Sequence, residues 1–407
     1  DRLNIKILDI IKMNHYTLNA KKRMNVETFL FSLLLIIAIF SGFGIRPFYI
    51  GAGLILMSFS AISLVVQKRD KEEIHLFWLL IVWIAYHLFC ALSSFSVRGI
   101  YICFQHIGII FIFWFVLEGD KFKLLREEIK GLNRIIHWGV LLVLGFLICR
   151  KSPNIAMYES YIYIGLVSIP FVIAEWKRMR RIRIICLCLI WFYVSYQVGA
   201  RSQSVGFLLF ILVAVLLLLF KGKGKRFLKK AFWGYYAFLN IFPMIYSYLA
   251  QSPYRATLEE ISYNLTKARF FSGRDELWLS VYNQMDNGFS VIFGLGVNKT
   301  EAITTQMEMS LHNLYVTLLS EGGLILVVLM GLILYQIWKR LVSDTSYQSR
   351  ILLSFMIVFL YKQTFDISLI ENNMCVAFAV WTALALACAD ARDRVGQESM
   401  GNFFTGE

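Results

Sequence analysis

The feature that most limits the fold is a recurrence of long apolar runs. A helix needs about 20 mostly apolar residues to cross a bilayer. Twelve stretches approach that length, near 28–45, 48–66, 75–95, 99–117, 132–149, 158–175, 184–199, 203–220, 231–249, 315–338, 350–368 and 373–389. The composition agrees: the 407 residues are 58% hydrophobic and 17% charged, with a mean hydropathy of +0.61. An ordinary soluble domain is roughly 45–50% apolar and about 25% charged. These values exclude a soluble enzyme, a disordered chain and a coiled coil. An all-α polytopic membrane protein is the expected fold class, with about 12 spans.

The net charge of +14, from 41 basic and 27 acidic residues, would fit a nucleic-acid binder. Its distribution argues for a membrane instead. With the N-terminus in the cytoplasm, 30 of the 41 basic residues fall in segments on the cytoplasmic side and 11 on the other. A missed or false span would scramble that alternation, so the split supports twelve spans with both termini inside. No nucleic-acid partner is needed to account for the charge.

The seven cysteines lie within or at the ends of apolar runs and read as small buried hydrophobes. They form no metal-ligand pattern. The polar leader before the first run is unlike a cleavable signal peptide. Leu3, Ile7, Ile10 and Ile11 share one helical face there, which suits a helix on the inner membrane surface; a frayed end is the alternative. The expected organisation is a leader at 1–27, spans 1–9 over 28–249, an outward loop at 250–314, spans 10–12 over 315–389 and a cytoplasmic tail at 390–407. The loop between spans 9 and 10 is about 65 residues long, and loops of that length are usually functional. Trp278, Tyr282, Phe289, Ile292 and Phe293 give it enough apolar surface to pack as helices over the spans.

Soluble-enzyme motifs are missing from the sequence: no P-loop, dinucleotide fingerprint, HExxH or GxSxG occurs. Of six histidines, only His312 falls in the outward loop, just before span 10. Histidine is the side chain suited to act as a base near neutral pH, although a histidine at a helix start is often structural. Arg201 sits in an almost linker-free hairpin between spans 7 and 8, where an arginine is costly unless it snorkels, pairs or binds an anion. Arg274 follows Ser272-Gly273. Ser272 is the expected helix cap, with Asp275 completing a capping box. An ion pair with Asp275 or Glu276 would explain Arg274 structurally. Ile292-Phe293-Gly294-Leu295-Gly296 reads as a glycine-bracketed turn.

The order of these elements resembles the O-antigen ligase and polymerase superfamily. The matching pattern is an arginine in the span 7–8 hairpin, Ser-Gly-Arg-x-x-x-Trp at 272–278, Phe-Gly-Leu-Gly at 293–296, His-Asn-x-Tyr at 312–315 and the following Gly322-Gly323. The twelve-span topology with a large loop between spans 9 and 10 is similar too. The resemblance implies a GT-C-like fold with a helical periplasmic loop in the bacterial inner membrane. It implies an inverting, metal-independent glycosyl transfer from an undecaprenyl-diphosphate-linked oligosaccharide, with no cofactor and with a chain-length regulator as a candidate partner. Catalytic roles carry over to Arg201, Arg274 and His312. Substrate contacts carry over to Arg201, Arg274, Trp278, Asn313 and Tyr315. Arginine suits this chemistry because it offers bidentate, permanent charge to a leaving diphosphate, and histidine because it can accept the acceptor hydroxyl's proton. The Gly-Arg-x-x-x-Trp and Phe-Gly-Leu-Gly forms look more like a repeat-unit polymerase than like a ligase that transfers the finished chain to lipid A-core. A transporter is the rival from another class, but internal repeats and charges at mid-membrane depth are scarce.

Overall fold

The computed structural model describes residues 71–100, 180–197, 201–219, 225–266, 269–271, 273–344, 346–367, 369–370 and 383–392, with a few single positions and pairs between 102 and 381. The expected leader, spans 1 and 2, span 6, most of spans 4 and 5, and most of the tail lie outside the described residues, as does Ser272. Regular structure among the described residues is entirely helical.

In chain order the main helices are α1 (Lys71–Ser93), α2 (Arg180–Gln197), α3 (Arg201–Leu219), α4 (Lys225–Ala250), α5 (Arg255–Thr266), α6 (Arg274–Gln284), α7 (Gly288–Phe293), α8 (Val297–Gln306), α9 (Leu314–Ser343) and α10 (Tyr347–Lys362). Three stretches among the described residues are long and apolar enough to cross a membrane: Ile74–Ser93, Ser202–Leu219 and Leu314–Ser343. They coincide with expected spans 3, 8 and 10. Helices α2, α4 and α10 coincide with spans 7, 9 and 11, but the described parts do not combine that length with that apolarity.

Helix α9 is the central element. It packs against α1, α4, α7 and α10, and it is buried on nearly every face. Helix α3 lies between α2 and α10. Large aromatics fill the core, and their polar tips bond to carbonyls of neighbouring helices. Tyr236 Oη donates to the Val327 carbonyl at 2.8 Å, Tyr235 Oη to Ile357 at 2.8 Å, and Trp338 Nε1 to Leu228 at 2.9 Å. Burying an amphipathic ring this way avoids leaving its donor without a partner in an apolar interior. Gly331 lets α4 come close to α9: a Cβ there would lie 2.7 Å from the Tyr236 ring.

The connection from α9 to α10 is a compact polar knot. Buried Asp344 accepts from the Ser346 amide at 2.8 Å, the Ser346 hydroxyl at 2.9 Å and the Ser349 hydroxyl at 2.6 Å. Ser346 in turn caps α10 by accepting from the Ser349 amide. Three hydrogen bonds to one carboxylate fix the reversal from one long helix into the next.

Helix α9 breaks once. Gly323 has φ 65° and ψ −162°, which no ordinary side chain adopts without strain. The break exposes the Ser320 carbonyl, and the amides of Leu295 and Gly296 occupy it at 2.7 and 3.2 Å. The expected glycine-bracketed turn is therefore a docking element that sits in the break. The approach is close: a Cβ on Gly323 would fall 2.2 Å from the Ile292 carbonyl oxygen, and one on Gly294 would fall 2.7 Å from the Gly322 nitrogen. Backbone meets backbone only because both sides lack side chains.

The stretch 250–314 folds as helices α5 to α8, as expected for the long loop. Its core holds Tyr246, Phe271, Leu277, Trp278, Val281 and Ile303, and it continues into Leu311 and Val316 at the start of α9. The expected packing residues divide. Trp278 is buried and Tyr282 packs on this core, whereas Phe289, Ile292 and Phe293 are exposed.

Candidate functional site

Three chain segments meet beside the start of α9. The first is the N-terminus of α6, which carries Arg274. The second is the link 311–313 with His312. The third is the end of α10 and the turn after it, 362–366. Backbone bonds lace the last two together: the Leu314 amide donates to the Gln363 carbonyl at 2.9 Å, and Asn313 Nδ2 donates to the Thr364 carbonyl at 2.8 Å. Arg274 joins them by donating from a guanidinium nitrogen to the Phe365 carbonyl at 3.1 Å. Trp278, one turn along α6, donates to the Leu311 carbonyl at 2.8 Å.

Helix α6 starts one residue later than the sequence suggested. Its cap position is Gly273, at φ 83°, with no side-chain cap. Asp275 Oδ1 instead accepts from the Gly273 amide at 3.1 Å. The carboxylate thus reaches back to the chain before it, as expected of Asp275, but from a frame shifted by one. Its other oxygen lies 3.9 Å from Arg255, whose guanidinium stands over the Phe271 ring at 5.6 Å.

His312 has φ 44°, a left-handed conformation that is unfavourable for any side chain. Strain of this kind collects where geometry serves function. The ring is only half-buried. Its pKa is lowered below the usual 6.5, first by burial and then by the Arg274 cation. Lys362 pushes in the same direction, and Asp366 pushes the other way. One imidazole therefore lies in the field of two cations and one carboxylate drawn from the other two segments.

Lys362 is buried, at 3% exposure. Its ammonium donates to Ser202 Oγ at 3.0 Å and lies 3.7 Å from Asp366. Ser202 follows Arg201, the first residue of α3, so the Arg201 backbone is brought to the same end of the bundle. The three residues expected to act, Arg201, Arg274 and His312, thus begin elements that converge. Lys362 and Asp366 were missed as site residues. The available signal was a lysine closing an apolar run, since an ionisable group at such a position is costly unless it has partners.

The structure places the expected substrate contacts Trp278, Asn313 and Tyr315 in the interior, 1%, 0% and 1% exposed. None has a face open to a sugar. Tyr315 Oη donates to the Leu360 carbonyl at 2.8 Å. Asn313 caps α9, its Oδ1 accepting from the Val316 amide at 2.9 Å while its Nδ2 holds Thr364. Their hydrogen bonds tie the 311–313 link to α6 and to the end of α10. Glu321, on α9, is buried against His87, with Nε2 and Oε2 at 3.1 Å. Of the two acids expected as partners for Arg274, Asp275 lies 3.9 Å from Arg255.

A surface hollow of about 470 Å³ is lined by Arg255, Glu259, Glu260, Tyr263 and Arg269, on and just after α5. Glu259 also ties the chain before α6 by accepting from the amides of Phe270 and Phe271 at 2.8 and 3.1 Å. Comparison with protein-family models, with curated proteins and with solved structures finds no match to this chain.

Proposed function

We propose that the protein is an inverting glycosyltransferase of the inner membrane. It joins undecaprenyl-diphosphate-linked oligosaccharide units of O-antigen or a related surface polysaccharide at the periplasmic face. The observation that carries this reading is the convergence of Arg274, Lys362 and Asp366 on a single half-buried histidine at one end of an apolar helix bundle.

In this reading the acceptor hydroxyl attacks C1 of the donor sugar. The bond from C1 to the diphosphate oxygen breaks on the opposite side, so the anomeric configuration inverts. His312 takes the hydroxyl proton. Its lowered pKa keeps the ring neutral at pH 7, the form a base requires. The departing diphosphate carries growing negative charge. Arg274 and Lys362, with Arg201 at the head of α3, supply fixed positive charge for it in a setting that water screens poorly. The carboxylates and Tyr263 of the α5 hollow suit the hydroxyls of a saccharide acceptor.

The test uses purified protein in liposomes with a synthetic undecaprenyl-diphosphate repeat unit. A ladder of lipid-linked polymers, with inverted linkages by NMR, is the expected product. If product forms only when lipid A-core is added, the protein is a ligase. If flux occurs without any new glycosidic bond, it is a transporter.

A further inference from the structure

Helix α7 has no charged residue, and its apolar side chains point away from the protein. Phe289 is 70% exposed, Ile292 45% and Phe293 41%. Phe289 and Phe293 stand one turn apart, with ring centroids at 4.7 Å. The docking of the 294–296 turn into the break of α9 holds α7 rigidly, so this display is built and not a frayed end.

The position of α7 says what covers it. Before Gly323, α9 shows no exposed apolar residue; directly after it, Leu324 and Val328 are 46% and 49% exposed. Helix α1 exposes Phe89 at 61% and Leu92 at 52%, and the turn that follows exposes Phe95 at 92%. The chain just after α7 touches that turn, since a Cβ on Gly296 would lie 3.4 Å from Ser94. The chain at the end of α7 thus touches two helices able to cross a membrane, each with exposed apolar residues next to the contact. Beyond the 294–296 turn, α8 exposes Lys299 and pairs Glu301 with Arg98 at 3.4 Å. The change from apolar to charged occurs across the α7–α8 junction.

We infer that α7 lies in the plane of the membrane on the side of the long loop, with Phe289 and Phe293 inserted among the lipid acyl chains. The site helices are then anchored to the bilayer surface at a fixed depth. Insertion of about 5–10 Å is typical of such helices. This inference rests on the membrane reading of α1 and α9 and does not depend on the transferase reaction.

The experiment places the photo-crosslinking residue p-benzoylphenylalanine singly at Phe289, Phe293, Phe89 and Tyr263 in the full chain, reconstituted in phosphatidylcholine vesicles. Adducts are read by mass spectrometry. Lipid adducts are expected at 289 and 293 as strongly as at 89, with none at 263. Lipid adducts at 89 but not at 289 or 293 overturn the inference, as does crosslinking of 289 or 293 to a second copy. Lack of lipid adducts at 89 overturns the membrane reading beneath it. Photolabelling of the unsubstituted protein with a carbene-generating phospholipid gives a second readout, in which the 288–293 peptide must be labelled.

Discussion

Lys362 and Ser202 stand 160 residues apart in the chain, and the ammonium of one donates to the hydroxyl of the other at 3.0 Å. This bond ties the end of α10 to the head of α3, one residue from Arg201. Lys362→Met keeps the length of the side chain and removes the charge. Turnover should fall by roughly 10²-fold or more if the ammonium serves the leaving diphosphate, while Ser202→Ala should fall much less. Equal, small losses in both variants would reduce Lys362 to a structural tie.

The charges around His312 predict a pH signature. Because its pKa is depressed, the acid limb of activity should have its midpoint below 6.5. Arg274→Gln removes a cation that favours the neutral ring, so the limb should move to higher pH. Asp366→Asn removes the opposing carboxylate, so the limb should move lower still. Rates measured between pH 4.5 and 8 decide this. A limb that stays fixed in both variants would mean that a different group titrates.

The left-handed backbone at His312 predicts a separation of stability from activity. Glycine tolerates this conformation and alanine does not. His312→Gly should therefore exceed His312→Ala in stability by about 1 kcal/mol, although both lose turnover. Thermal unfolding in detergent compares them directly, and a more stable alanine variant would refute the strain.

Asn313 is assigned to capping and to holding the 362–366 turn. Asn313→Ala should lower stability by about 1–2 kcal/mol. Asn313→Asp keeps the acceptor for the Val316 amide and loses the donor to Thr364, so it should fall between wild type and alanine. If Asn313→Ala leaves the melting temperature unchanged and raises only the KM, the residue binds substrate after all.

Two glycines should respond in opposite directions. Gly323→Ala places a Cβ 2.2 Å from the Ile292 carbonyl oxygen, at a positive φ. Its cost should be at least on the order of 2 kcal/mol. Gly234, within α4, meets nothing within 4 Å of its Cβ position. Gly234→Ala should stabilise by about 0.5–1 kcal/mol.

Helical spans were legible because an apolar run of sufficient length leaves the chain few other options. Span 10 was placed within one residue of the start of α9 at Leu314. His312 stands out for a related reason: it is the one histidine of the sequence on the loop side. What the local sequence could not carry was long-range pairing. Nothing around Tyr361-Lys362-Gln363 announces Ser202, and nothing around Glu321 announces His87. The carbonyl partners of Trp278, Asn313 and Tyr315 are equally illegible, because a ring tip or an amide that binds a backbone carbonyl looks, in sequence, the same as one that binds a sugar. The start of α6 moved by one because Gly273 can adopt the left-handed turn that ends the preceding stretch.

The ring tips buried in the bundle act like teeth. Tyr315 on α9 grips α10 at Leu360, Tyr236 on α4 grips α9 at Val327, and Tyr235 on α4 grips α10 at Ile357. A slip by a single residue moves a helix about 1.5 Å along its axis. That shift would disengage every tooth on it at once, with no water at hand to take up the freed donors. The three helices are therefore indexed against one another and cannot slide gradually. Any working motion of this protein must be a tilt or a swing of the outer helices about that locked triplet.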